Sequence, residues 1–234
     1  MVIILEKNLL NQLMSSALFH HISADSLAIM LDCLQPKIQQ VNKNTYITVQ
    51  GTVYTGLGIL LSGQAAVIKE SASGTRTVMT TLGPGDLFGE MIAFSPKHHW
   101  PASVLAQTAC SVMFLAPEKI ISECSNVCTS HTQLVKNMLG ILSTKALMLN
   151  QKTEYLSIKS MRKKISVYLL EQHKQNQTTT FTLPLKRNEL ADFLSVSRTA
   201  LSRELGRMRD DGIIEFYRNS IKIFDLARLK KEAE

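Results

Sequence analysis

Residues 185–209, LKRNELADFLSVSRTALSRELGRMR, hold two apolar-periodic runs around a short polar turn. Asn188 to Leu194 reads as a first helix with Leu190 and Leu194 inward, and small Ala191 lets a second helix cross closely. Ser195-Val196-Ser197 is the turn: Val196 plugs the core and Ser197 caps the second helix. In that helix Leu201, Leu205 and Met208 share one face. Thr199, Ser202, Arg203 and Gly206 point roughly opposite, with Arg198 and Arg209 on the flank.

Basic and hydroxyl residues on the outer face of a second helix are the chemistry of a helix-turn-helix that enters a DNA groove. Arg203 suits a bidentate bond to guanine O6 and N7, and Ser202 and Thr199 suit a base edge or phosphate. Arg187 and Ser197 stand where phosphate contacts are expected. Downstream, IIEFYRNSIKI at 213–223 alternates about an Arg218-Asn219 turn and predicts a β-hairpin wing.

The charge distribution points the same way. The chain carries a formal +7, and residues 159–234 hold 16 Lys+Arg against 10 Asp+Glu, a local excess of +6. Residues 1–158 are close to neutral, so only the rear of the chain is suited to a polyanion.

Immediately upstream, Val135, Leu139, Leu142, Ala146, Leu149 and Leu156 fall on an alternating four-and-three spacing, with Thr153 in the one polar slot. This a/d seam predicts a long helix over 130–158. Leu134, Met138, Ile141 and Met148 form a second stripe beside it. One stripe is expected to pack on the preceding domain and the other on a second copy of the chain; the alternative is one broad face buried within a monomer. Met161 to Gln172 starts a new helix, HKQNQTTT at 173–180 reads as a loop, and a boundary falls near 157–160.

From 37 to 116 the texture is β. TYITV (45–49), LGILL (57–61), AAVIKE (65–70), RTVMTTL (76–82), ASVLA (102–106) and CSVMFL (110–115) are separated by Gly, Pro and Ser turns. Short strands at this spacing predict an antiparallel barrel or sandwich. Before them, Leu9, Leu13, Leu27, Met30, Leu31 and Leu34 keep helical spacing, with a break at His20-His21 and a stop at Pro36. The expected organisation is N-terminal helices and β domain over 1–129, long helix over 130–158, and DNA-binding domain over 159–234.

No run approaches 18 apolar residues, and Glu6 and Lys7 interrupt the apolar start, so no membrane partner is expected and a cytoplasmic location is. Cys33, Cys110, Cys124 and Cys128 form no C-x-x-C pair; a shared helix face for Cys124 and Cys128 leaves a redox or metal role beside the plainer one of structural thiols. There is no phosphate loop and no nucleophile–base constellation with supporting context, which points away from an enzyme.

PGDLFGEM (84–91), AQTACSVMFL (106–115) and SVSRTALSRELGRMRDDGII (195–214) resemble the Crp/Fnr family of bacterial transcription regulators, and the likeness extends over nearly the whole chain. It implies an α+β fold: an N-terminal antiparallel β-roll of jelly-roll type, a dimerisation helix and a C-terminal winged helix-turn-helix. It also implies a homodimer through 135–156, a palindromic double-stranded DNA site and RNA polymerase as a partner. Arg198 and Arg203 match the family's reading arginines. Thr199 replaces a usual glutamate, Ser202 agrees with the Fnr branch, and Ser195 stands where a turn glycine is common.

Cyclic-nucleotide-binding members use a Gly-Glu pair for the ribose and an Arg-Ser pair for the phosphate. Gly89-Glu90 matches the first, while Trp100-Pro101 replaces the second. Leu149-Asn150 stands where a Thr-Ser pair would meet the adenine. The likeness therefore implies an effector other than cyclic AMP.

An apolar pocket with one acid, formed by Phe88, Glu90, Met91, Trp100, Ala102 and Leu149, would suit a small aromatic or other organic effector. The competing expectation is that Trp100 simply fills core. The iron–sulfur branch is excluded, since Cys33 alone precedes the β domain. No cofactor is predicted, although haem-binding members leave His98-His99, with His20, His21 and His131, as either a haem-related group or ordinary surface residues. A β-roll module that regulates a protein partner is the rival class.

Overall fold

A computed structural model describes residues 9–71, 74–122 and 129–234. The chain divides into two compact units at Thr144/Lys145. Cys124 and Cys128 lie outside the described residues.

The first unit opens with helix α1 (9–14), a single 3-10 turn (Ala17–Phe19) and α2 (Ala24–Leu34), which Ser23 caps by accepting the Ser26 amide. Eight strands come next: β1 (Lys37–Val41), β2 (Tyr46–Thr48), β3 (Leu57–Ser62), β4 (Ala65–Glu70), β5 (Arg76–Leu82), β6 (Leu87–Phe88), β7 (Ser103–Ala106) and β8 (Cys110–Leu115). They form two four-stranded antiparallel sheets, ordered β1-β8-β3-β6 and β2-β7-β4-β5. This is the expected β-roll.

The six anticipated strands are present, and β1 and β6 are additions. Polar KIQQV carries one buried residue, Val41, because β1 is a sheet edge held by β8. Strand alternation divides the core in two. Leu60, Phe88, Val104, Ala106, Cys110 and Val112 face the space between the sheets. Leu57, Ile59, Leu61, Met113 and Leu115 face outward onto the helices, which explains why β3 is apolar at nearly every position.

That outer layer is completed by α3 (Pro117–Ile121) and the start of α4 (Thr129–Ser157). Leu134 and Met138 of α4 are buried against the helical core, with Ile141 and Leu142 packed at its edge. Asn137 donates to the Leu18 and His20 carbonyls at 2.9 and 2.7 Å. Leu134, Met138 and Ile141 of the second stripe thus pack on the β unit together with Leu142 of the a/d seam. Met148 of that stripe, by contrast, is 56% exposed, and Leu139, Leu149 and Leu156 of the seam are 59, 50 and 55% exposed.

The second unit begins within α4. Tyr155 is buried with Tyr168 and Phe193, at ring-centroid distances of 6.3 and 5.1 Å. Its hydroxyl donates to Glu171 Oε2 at 2.6 Å, and Gln151 donates to the same oxygen at 2.8 Å. Helix α5 (Met161–Asn176) runs one turn beyond its expected end, and the expected loop contributes β9 (Thr180–Thr182). Helices α6 (Arg187–Phe193) and α7 (Arg198–Asp210) form the helix-turn-helix. Strands β10 (Ile214–Tyr217) and β11 (Ser220–Ile223) form the wing, with β9 as a third strand on β11, and α8 (Leu226–Glu232) closes the unit.

Candidate nucleic-acid interface and effector pocket

The turn between α6 and α7 is set by three contacts. The Leu194 amide donates to Leu190 O at 3.0 Å, the Val196 amide to Ala191 O at 2.9 Å, and the Ala200 amide to Ser197 Oγ at 3.2 Å. Ser195 between them is left-handed, with φ of 54°. A non-glycine residue is strained there, so Ser195→Gly is expected to raise stability by ~0.5–1 kcal/mol, after allowance for glycine's extra unfolded-state entropy. Urea denaturation of the two proteins checks this; a destabilised glycine variant would show that the Ser195 side chain contributes more than the strain costs.

Helix α7 buries Leu201, Leu205 and Met208 and exposes Arg198, Thr199, Ser202 and Arg203. With Ser197 exposed at the cap, five of the six predicted DNA-facing residues line one end and face of one helix. Four basic side chains lie on or beside this helix (Arg198, Arg203, Arg207, Arg209), all exposed.

Arg187, the sixth, is placed differently from an open phosphate contact. It is half-buried, its guanidinium lies 5.2 Å from the Phe216 ring centroid, and Nη2 donates to the Arg218 carbonyl at the wing turn at 3.0 Å. Arg209 approaches the same ring at 5.7 Å. Burial, and secondarily the neighbouring Arg198 charge, hold the Arg187 guanidinium below its ordinary pKa. Arg187 therefore braces the wing against α6.

Sequence inspection did not single out Glu204. This residue is buried on α7 and its carboxylate takes Arg162 Nε at 2.6 Å and Arg207 Nη1 at 3.2 Å. Arg162 Nη1 also meets Asp211 at 2.8 Å and Glu232 at 3.4 Å. One arginine in the first turn of α5 thereby ties α5, α7 and α8. Buried Lys164 adds a bond from Nζ to Leu194 O at 3.2 Å, at the C-terminal end of α6. An acid between apolar helix positions is the one local signal that could have marked Glu204.

In the β unit, Trp100 is 4% exposed and is core. Its amide donates to Thr52 O at 2.9 Å, and its carbonyl accepts from the Gly51 amide at 2.8 Å. Its ring lies 4.7 Å from Tyr54 and 6.0 Å from Phe88, centroid to centroid. The Tyr54 hydroxyl donates to Gly89 O at 3.1 Å. Burial, then the Glu90 and Glu118 charges, push the Tyr54 phenol above its ordinary pKa, so it remains a donor.

The other expected pocket residues are dispersed. Phe88 and Glu90 are buried and Gly89 and Ala102 half-buried, but Met91 and Pro101 are exposed. Leu149 and Asn150 belong to the second unit, where both are exposed and Asn150 donates to Glu154. The geometry supports the expectation that Trp100 fills core. His98 and His99 are exposed on the segment that leads into Trp100, and His131 is buried with Nε2 2.9 Å from Ile120 O. Cys110 is a core thiol with Sγ 3.3 Å from both the Gln64 and Thr108 carbonyl oxygens, either of which can accept its one proton.

A family model described as a cyclic nucleotide-binding domain matches residues 38–126, and one described as a Crp-like helix-turn-helix domain matches 163–232. The chain is 22% identical over 218 residues to the cyclic AMP receptor protein of Thermus thermophilus, covering 93% of this chain and 97% of that one. It is 21% identical over 223 residues to the CRP-like cAMP-activated global transcriptional regulator of Mycobacterium tuberculosis, covering 93% and 96%. The crystal structure of the Thermus thermophilus catabolite activator protein shares the fold, with a TM-score of 0.54 at 22% identity over 93% of this chain and 98% of that one. A two-sheet β-roll followed by a winged helix-turn-helix, matched in both parts and in order, identifies this chain as a member of the Crp/Fnr family of DNA-binding transcription regulators.

Proposed function

We propose that the protein acts as a homodimer on a palindromic double-stranded DNA site, reads it with Arg198, Thr199, Ser202 and Arg203, and regulates transcription with RNA polymerase as its partner, without cyclic AMP as effector. The exposed face of α7 carries this proposal: a capped recognition helix presents two arginines and two hydroxyls while its apolar face is locked into the domain. Two copies joined along α4 would present two such helices to successive major grooves, ~34 Å apart. Thr199 is where the preferred site should depart from those of relatives that carry glutamate.

The Thermus and Mycobacterium relatives are described as a cyclic AMP receptor and as cAMP-activated. Support for a different behaviour here comes from the β-roll interior. A cyclic nucleotide brings a phosphate charge that must be paired when it leaves water. Around the Gly89 turn stand Trp100, Tyr54, Phe88 and the buried acid Glu90.

Fluorescence anisotropy on a site selected from random DNA tests the proposal. Affinity should fall about a hundredfold or more between ~50 and ~200 mM salt, because several phosphate contacts release counterions. Arg203→Ala should weaken the selected site by ~1–3 kcal/mol and leave random DNA nearly unchanged. Salt-insensitive binding, or an equal loss on both DNAs, would instead favour a β-roll module that regulates a protein partner.

A further inference from the structure

Trp100 is the chain's single tryptophan and is buried in the β-roll interior. Thr52 and Gly51 hold both of its backbone polar groups, and a bridge between Val53 and His99 extends that pairing. Its six-membered ring lies directly on Gly89, which is left-handed at φ of 80°. A Cβ there would stand 2.6 and 2.8 Å from the indole Cζ3 and Cη2 and 3.0 Å from Tyr54 Cε2. Even a methyl group does not fit between the turn and the two rings. Tyr54 is fastened from the other side by its bond to Gly89 O.

Phe88 continues the filling. Its ring lies against Gly58, where any side chain would collide with it, and meets Phe114 edge-on at 5.9 Å. The acid beside these rings, Glu90, is 6% exposed.

We infer that this cyclic nucleotide-binding-type roll carries its own occupant: the Trp100 indole, clamped between Gly89 and Tyr54, takes the place of a ligand, so that the DNA-binding form is set without one. The inference rests on the proposed DNA-binding function for its consequence, but its geometry stands independently. An indole fixed covalently needs no free concentration, so the roll is always in its filled state. Its removal would leave an apolar cavity of the kind that admits small aromatic molecules.

The 234-residue chain tests this, because its tryptophan emission reports on this one side chain. The wild-type emission should be blue-shifted, poorly quenched by acrylamide, and unchanged by cyclic AMP, cyclic GMP or free indole analogues at about 1 mM. Trp100→Gly should bind the selected DNA at least about tenfold more weakly, and added indole at about 1 mM should restore most of that loss. The wild type should show no response to indole. Trp100→Phe, which keeps a ring in place, should retain most DNA affinity and covers the case of a glycine variant that does not fold.

Cyclic nucleotide or indole that shifts the wild-type emission and changes DNA affinity by about tenfold would overturn the inference, since Trp100 would then be a movable wall. So would a folded Trp100→Gly variant with wild-type DNA affinity. Failure of every variant and of the wild type to bind DNA would fall on the proposed function; the emission arm still decides the occupant.

Discussion

Arg162→Met is expected to destabilise the 145–234 unit by ~2–3 kcal/mol, and pairing it with Glu204→Met should return most of that loss. Arg162 and Glu204 are in contact at 2.6 Å with side chains only 24 and 11% exposed. Removing the arginine alone strands a carboxylate against the apolar face of α7, the case in which breaking an ion pair costs most. A fully buried pair would lose about 3–5 kcal/mol. Arg207 remains 3.2 Å from Glu204, and both positions retain some water, which brings the expectation down.

With both charges replaced by methionine, the desolvation cost disappears together with the attraction, and flexible apolar side chains can fill the space. Urea denaturation of the two single variants and the double, read as a double-mutant cycle, gives the coupling. A single variant within about 0.5 kcal/mol of wild type would show that the contact is only a surface pair. DNA affinity adds a second readout. Arg162 also holds Asp211, just past the end of α7, so its loss should weaken specific DNA more than random DNA.

These contacts mark where the sequence stops being legible. The helix-turn-helix can be read because its determinants are local: a cap at Ser197, a plug at Val196, and Leu201, Leu205 and Met208 at helical spacing. The long helix is legible, its end at Ser157 to within a residue, because its stripes are periodic. Arg162 and Glu204 lie 42 residues apart, and nothing local states that a lysine- and arginine-rich first turn will supply one buried carboxylate.

Other misses have the same origin. β1 is polar and exists because β8 pairs with it, and β9 hides in a threonine run until β11 offers an edge. Tyr155 lies off the a/d seam, and its burial with Tyr168 and Phe193 depends on how α4 meets α5 and α6. At the candidate pocket, motif matching finds Gly89, Glu90 and Trp100. It misses Tyr54, because the pairing of 51–54 with 98–100 is a non-local bridge without strand texture. It also groups residues by the likeness rather than by this chain's packing, which is how exposed Met91 and Pro101 come to be included.

Leu149→Asp is expected to dissociate the proposed homodimer, raising its dissociation constant on the order of a hundredfold or more. Leu139, Leu149 and Leu156 occupy seam positions and are at least half exposed, whereas the neighbouring stripe at Leu134 and Met138 is already buried against the β unit. Exposed leucines at four-and-three spacing have their natural partner in the same stripe of a second copy. Burying one leucine contributes ~1.5–3 kcal/mol, and a two-fold interface loses two of them for each substitution. It also brings two carboxylates into an apolar seam.

Leu147→Asp is the control. Leu147 is 71% exposed, more than Leu149, but lies about 130° around the helix from the seam, so its replacement should leave the dimer intact. Sedimentation velocity over a concentration series separates the two. Far-ultraviolet circular dichroism should be unchanged in both, because neither leucine belongs to a core. The DNA consequence is larger than the dimer consequence, because a monomer engages one half-site and loses the second contact set. Leu149→Asp should therefore bind a palindrome no better than a single half-site. Equal dissociation by both variants would make the exposed leucines a general apolar surface, and wild-type dimerisation by both would move the interface off α4.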